Sequence, residues 1–159
     1  MNTQKLVLDD GLLRLDINGN GILKFNPSDF NVYDRFMTMI EELPDIEKRY
    51  VLEVETETDT EESEKRMVIR ELARAKAIDA EVKQKLSAVF GYGNDFDKLL
   101  GGVNLMAVGS NGERVITNLL EALMPYVQGG LERYTKNEVA VAKANREQRR
   151  AAQKGVPVK

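Results

Sequence analysis

The chain contains no cysteine and no histidine, and only four prolines in 159 residues. Without cysteine, disulfides and thiolate chemistry are excluded in any compartment. Without histidine, the commonest general base, the commonest metal ligand and any imidazole switch near neutral pH are missing too. No apolar run approaches membrane-spanning length, and the opening MNTQKLVLDD lacks the apolar centre of a signal peptide. A cytoplasmic location is expected, with no membrane partner. Acid pairs such as Asp95 with Asp97, or Glu61 with Glu62, have no histidine or aromatic pocket signal beside them and read as ordinary surface. The expectation is a non-enzyme that uses no metal and no cofactor.

What is present fits a folded domain. A hydrophobic content of 42% and a charged content of 31% suit a globular protein rather than a disordered chain. Net charge is only −3, but the charges are separated along the sequence. Glu53 to Glu64 carries seven acids and no base, whereas Glu132 to Lys159 carries eight Lys or Arg against three acids. The expected organisation is a globular domain over residues 1–130 followed by a basic helical tail over 131–159, frayed at its end.

Residues 5–25 read as β, with three short apolar runs punctuated by Asp-Asp-Gly and Asn-Gly-Asn-Gly turn signals. Leu13, Leu15 and Ile17 alternate with Arg14 and Asp16, as a strand with one buried face does. Asn26-Pro27-Ser28-Asp29 then reads as a helix start with Asn26 as the cap, leading to a stripe of Phe30, Tyr33, Phe36, Met37, Ile40 and Leu43 that Pro44 stops. Residues 45–62 allow an edge strand, or a continuation of helix through Leu52 followed by an acidic loop. The second is preferred, because acids facing one another across a ladder repel.

A long helix is expected over 63–90, with Val68, Leu72, Ala75, Val82, Leu86 and Val89 on one face, Asp79 interrupting it and Gly91 ending it. Asn94 caps a short helix to residue 100, and an apolar connector follows to residue 109. The most continuously apolar stretch is Ser110 to Val127. Ser110 and Glu113 have capping-box spacing, and Val115, Ile116, Leu119, Leu120, Leu123, Met124 and Val127 recur at helical intervals. Gln128-Gly129-Gly130 is expected to break or kink the chain before the tail. The fold class is therefore mostly α within α+β: a small three-strand antiparallel sheet packed on a helical bundle, with a basic C-terminal helix.

Two motif-like stretches are weighed and set aside. Asp16 to Gly21 matches the first half of a calcium-binding EF-hand loop, but Lys24 and Pro27 occupy the ninth and twelfth positions, so a hairpin turn explains the same residues. Gly91-Tyr92-Gly93 and Gly101-Gly102 lack the Gly-Lys-Ser/Thr of a phosphate loop and read as helix caps. The basic tail, with Lys136, Lys143, Arg146, Arg149, Arg150 and Lys154, could neutralise phosphates or dock on an acidic protein, or be a plain solvated terminus. Nucleic acid is disfavoured, because the tail has one aromatic, Tyr134, and the protein as a whole is acidic.

Phe25-Asn26-Pro27-Ser28-Asp29 with its aromatic-rich helix, Val89-Phe90-Gly91-Tyr92-Gly93 with DFDKLLGG, the apolar helix near 118–127 and the charged helical tail together resemble a family of small proteins from tailed phages of Gram-positive bacteria. The family is similar to the tail assembly chaperones of long-tailed siphophages. The resemblance covers roughly residues 20–150 and rests on caps and turns; the strand-rich start and the acidic stretch are not matched. It implies a protein of the infected host cytoplasm that binds the tape measure and tail tube proteins during assembly and leaves before the virion is complete. A homo-oligomer is a further partner considered. Under it, Leu119, Leu123 and Val127 are expected to be shared between core and partner, with Tyr134, Lys143, Arg146, Arg149 and Arg150 on the partner-binding tail. The alternatives are a phage-encoded nucleic-acid-binding or regulatory adaptor acting through Arg146, Arg149 and Arg150, and a structural component of the head–tail joint.

Overall fold

The computed structural model describes residues 2–50 and 61–153. Most of these residues are helical. The elements run β1 (Leu13–Asp16), β2 (Ile22–Phe25), α1 (Phe30–Arg49), α2 (Glu61–Phe90), α3 (Phe96–Leu99) and α4 (Val115–Gln153). The preferred acidic loop after Leu52 lies largely outside the described residues, as does the frayed end from residue 154.

Among the described residues the sheet has two strands, not three. β1 and β2 pair antiparallel, Leu13 opposite Phe25 and Leu15 opposite Leu23, so that the alternating apolar side chains share one face. Leu23 and Phe25 are buried under it. The turn between the strands holds Asn18 and Gly19 at positive φ, and the Asp16 carboxylate accepts the Gly19 N–H at 2.8 Å. No strand forms over residues 5–12. There the Asp9 and Asp10 carboxylates take the N–H groups of Gly11 and Leu12, which a ladder would need, and Leu6, Val7 and Leu8 stay exposed.

α1 starts three residues later than Asn26. The Asn26 side chain instead accepts from the backbone N–H and the hydroxyl of Ser28, and Asp29 becomes the cap, accepting from the Asn31 N–H. The buried face is Val32, Phe36, Met39 and Ile46; Phe30 is half-exposed. Pro44 does not stop the helix. It sits on the exposed side, where the carbonyl freed by its missing N–H can face water, and the helix runs on to Arg49.

The centre of the core is Phe90, the last residue of α2. Its ring lies 4.8 Å from Phe25 of β2, 5.9 Å from Phe36 of α1 and 5.7 Å from Phe96 of α3, so four elements meet on it. α2 ends there because Gly91 adopts a φ of +111°, and the Arg35 guanidinium of α1 donates twice to the Val89 carbonyl, at 3.0 and 3.2 Å. The last turn of α2 has no basic residue of its own, so a cation from a neighbouring helix satisfies its C-terminal end. Asn94 does not cap α3; Asp95 does. Buried Asn94 instead accepts from the Lys24 N–H and donates to the carbonyls of Lys24 and Phe90, fastening the sheet to the end of α2.

α4 also departs from its expected start. Ser110 and Glu113 form no capping box, because Glu113 is held in a turn in which its carbonyl accepts from Gly109 and its N–H donates to the Asn111 side chain. The first turn of α4 is satisfied by the connector: the N–H groups of Val115 and Ile116 donate to the carbonyls of Ala107 and Leu105. That connector is held in turn by Asp79, whose carboxylate accepts the Leu105 N–H at 2.7 Å. α4 then continues without a break through Pro125, Gly129 and Gly130 to Gln153. The expected kink is absent. Pro125 is exposed, like Pro44, and Gly130 is buried against Pro27, where a Cβ would lie 1.7 Å from the Pro27 carbonyl oxygen. Glycine at 130 serves close helix–loop approach rather than bending.

Candidate protein-binding surface

The directions of the long helices follow from their contacts. Along α1, Arg35, Glu42 and Arg49 meet Val89, Lys85 and Glu81 of α2 in descending order, so these helices are antiparallel. Along α4, Arg114, just before its first turn, pairs with Glu47 near the end of α1, and Tyr134 meets Phe30 at the start of α1, at 5.8 Å between ring centroids. α4 is therefore antiparallel to α1 as well. Each long helix outruns α1, but at opposite ends. The N-terminal half of α2 extends beyond Arg49, and the C-terminal half of α4 extends beyond Phe30. At about 1.5 Å per residue each overhang reaches some 25–30 Å.

The residues expected to bind a partner fall into two groups. Leu119, Leu123 and Val127 are buried, at 8%, 3% and 1% exposure, and belong to the core. Tyr134 marks the boundary, half-exposed and packed on Phe30. Lys143, Arg146, Arg149 and Arg150 lie on the α4 overhang, where residues 132–150 are exposed throughout. On this overhang Val139, Lys143, Arg146 and Arg150 share one helix face by their spacing, and Val139 is 63% exposed.

The α2 overhang contributes a surface that periodicity did not distinguish from core. Val68 and Leu72 continue the face that buries Val82 and Leu86, yet they are 59% and 57% exposed, with Met67 and Ile69 exposed beside them. Nothing in the apolar spacing marks where burial stops. The first turn of α2 carries Glu61, Glu62 and Glu64, which suits the positive end of the helix dipole.

Two polar clusters lie near the base of the α2 overhang. Arg49 and the Tyr50 hydroxyl both donate to the Glu81 carboxylate, at 2.6 and 2.8 Å. The Tyr50 bond holds the Glu81 carboxyl below its ordinary pKa against the opposing effect of burial, with Arg49 adding to the lowering; the same bond raises the Tyr50 phenol. Lys83 is buried between Asp97 at 2.7 Å and Asp79 at 3.0 Å. Burial pushes its ammonium down, but the two carboxylates together outweigh that and raise its pKa. These are fastenings: Lys83 ties α2 to α3, and Asp79 also holds the connector.

A groove between α1 and α2 is lined by Arg35, Met39, Glu42, Lys85 and Val89, and a second depression lies where α4 passes Leu12, Pro27 and Gly130. In the first, the Lys85 ammonium pairs with the Glu42 carboxylate at 2.9 Å. Among the described residues, no group of three or more acids is placed to hold a metal ion, and every buried side-chain nitrogen or oxygen has a hydrogen-bond partner. No helix among the described residues is long and apolar enough to cross a membrane.

The arrangement leaves lengths of α2 and α4 exposed beyond the core. Compared with protein-family models, curated proteins and solved structures, the chain matches none of them.

Proposed function

We propose that this protein is a non-enzymatic assembly chaperone that presents helix faces to other proteins, in keeping with its resemblance to the tail assembly chaperones of siphophages. The observation that carries the reading is the α4 overhang: more than five helical turns leave the core, exposed throughout 132–150 and carrying Arg133, Lys136, Lys143, Arg146, Arg149 and Arg150 against three acids. A helix that leaves the core can lie along a groove or a second helix, which is how a chaperone engages an elongated helical client. The tape measure protein is such a client, and the tail tube protein is the second. Burial of Leu119, Leu123 and Val127 moves the proposed contact outward from those residues to Tyr134 and the basic side chains beyond it.

The test is co-expression with siphophage tape measure and tail tube proteins, followed by affinity capture and gel filtration. A soluble complex that is lost on Arg146→Glu with Arg149→Glu and Arg150→Glu, with helical content unchanged, is the expected result. Retention of the complex by that variant, or absence of any complex with both tail proteins, overturns the reading. Steeply salt-dependent retardation of DNA or RNA by the protein alone would favour a nucleic-acid adaptor instead.

A further inference from the structure

We infer that residues 5–9 of a second copy of this chain add to the open edge of β1 as the third strand of the sheet, and that the exchange is mutual. β1 pairs with β2 on one side only. Lys24 of β2 turns its N–H and carbonyl away from β1, toward Asn94. Its opposite residue, Arg14, therefore turns its own N–H and carbonyl the other way, to the outer edge, and Asp16 does the same two residues on. Among the described residues, none of these four groups has a backbone partner. An edge bare in this way is a template for another strand.

The segment that fits it is the one leading into β1. Lys5 to Asp9 carries a strand signal in the sequence, yet in one copy it pairs with nothing. Leu6, Val7 and Leu8 are 89%, 81% and 75% exposed, and among the described residues the backbone of 2–9 makes no hydrogen bond to other backbone. Run antiparallel to β1 with Val7 opposite Arg14, this segment places Leu6 opposite Leu15 and Leu8 opposite Leu13, on the face that covers the core. Lys5 then stands opposite Asp16 on the outer face. Asp9 lies diagonal to Arg14, which faces the like charge of Lys24 on its other side. A slip of one residue would turn both leucines outward and break the charge match. Leu8 also meets a place to pack, because Leu13 lines the depression shared with Leu12, Pro27 and Tyr126.

In its own copy the segment is turned away from this edge. A two-residue hairpin over Asp10-Gly11 needs positive φ at both residues and the Leu12 N–H for the Asp9 carbonyl. Only Gly11 of the two has positive φ, and the Leu12 N–H donates to the Asp10 carboxylate at 3.1 Å. The Asp10 carbonyl is held as well, accepting from the Asn26 side chain at 2.9 Å. A second copy meets none of these obstacles, since it uses the free groups of Arg14 and Asp16. Made in both directions about a two-fold axis, the exchange closes at two copies. It also enlarges a two-strand sheet that is marginal by itself.

The inference needs no tail protein, so it stands or falls separately from the chaperone reading. Sedimentation equilibrium of the full chain alone at about 100 μM is expected to show a dimer. Amide exchange followed by NMR should show the Arg14 and Asp16 N–H groups protected, increasingly so as protein concentration rises. Val7→Pro removes the N–H that would donate to the Arg14 carbonyl and should weaken the dimer by about tenfold or more. Leu6→Asp/Leu8→Asp should do the same by turning carboxylates toward the core. These residues are exposed in a single copy, so circular dichroism and thermal unfolding of the diluted variants should match the parent. A monomer at about 100 μM, or a dimer that Val7→Pro leaves intact, overturns the inference. So does protection of Arg14 that persists on dilution, as the chain's own segment would give, or a dimer in which the Arg14 amide exchanges freely.

Discussion

Gly130 of α4 stands so close to Pro27 that the missing Cβ is what allows the two to touch; built there, it would lie 1.7 Å from the Pro27 carbonyl oxygen and 2.1 Å from its carbonyl carbon. The next residue back, Gly129, has nothing within 4 Å of the equivalent position. The adjacent glycines therefore answer in opposite directions. Gly130→Ala is expected to cost roughly 3 kcal/mol or more, because backbone and not a movable side chain is in the way. Gly129→Ala is expected to stabilise by about 0.5–1 kcal/mol, through better helix propensity alone. Urea unfolding of the two variants checks both; equal destabilisation would show that both glycines serve a bend.

Phe90 joins β2, α1 and α3 through three ring contacts. Phe90→Ala is expected to cost about 3–5 kcal/mol, whereas Phe30→Ala, at a half-exposed ring, should cost about 1 kcal/mol or less. Thermal unfolding separates the two, and comparable losses would remove Phe90 from the centre of the core.

Asp79 serves two partners, the Leu105 N–H and the Lys83 ammonium. Asp79→Ala leaves both short of an acceptor in a mostly buried place, at an expected cost of about 2–4 kcal/mol. Asp79→Asn keeps an acceptor for the N–H and should recover part of that loss. Hydrogen exchange at Leu105 provides a local readout: protection should fall in the alanine variant and persist in the asparagine one.

Stability should fall at both pH extremes for different reasons. The Glu81 carboxyl has a lowered pKa in the fold, so its contribution is complete above the unfolded carboxylate value, near pH 4, and is lost as pH falls through the folded one. Tyr50 and Lys83 have raised values, so their contributions are complete below the unfolded values, near pH 10, and are lost as pH rises through the folded ones. Tyr50→Phe removes the largest influence on Glu81, so the Glu81 carboxyl should titrate at higher pH in that variant. Carboxyl NMR titration tests this, and an unmoved Glu81 would contradict it.

Much of the secondary structure was legible because its signals are local. Alternation at Leu13 and Leu15, the Asn-Gly turn, the period of α2 and its stop at Gly91 all act within a few residues. The caps were less legible. Asn26 and Asn94 have good cap chemistry, but the first braces a turn at Ser28 and the second joins β2 to α2, so Asp29 and Asp95 cap instead. Ser110 lost its role to carbonyls from Leu105 and Ala107, which sequence spacing does not reveal. Of the candidate surface, the basic side chains of α4 were visible as a charge run. Val68 and Leu72 were not, since an apolar stripe looks the same whether covered or bare.

By itself the sequence determined that this protein has no thiol or imidazole chemistry, that helix dominates with a small hairpin at one end, and that acid and base are separated along the chain. Those properties follow from residue identity and short-range spacing. Tertiary structure alone decided that Phe90 is the centre, that α4 runs straight through Pro125 and both glycines, and that α2 and α4 project from opposite ends of α1. Helix length and burial are set by which neighbour reaches how far, and a backbone carbonyl from a distant loop can replace a cap or demand a glycine. Leu119, Leu123 and Val127 are accordingly core, and the exposed lengths of α2 and α4 lie beyond it, where the helices outrun the residues that cover them.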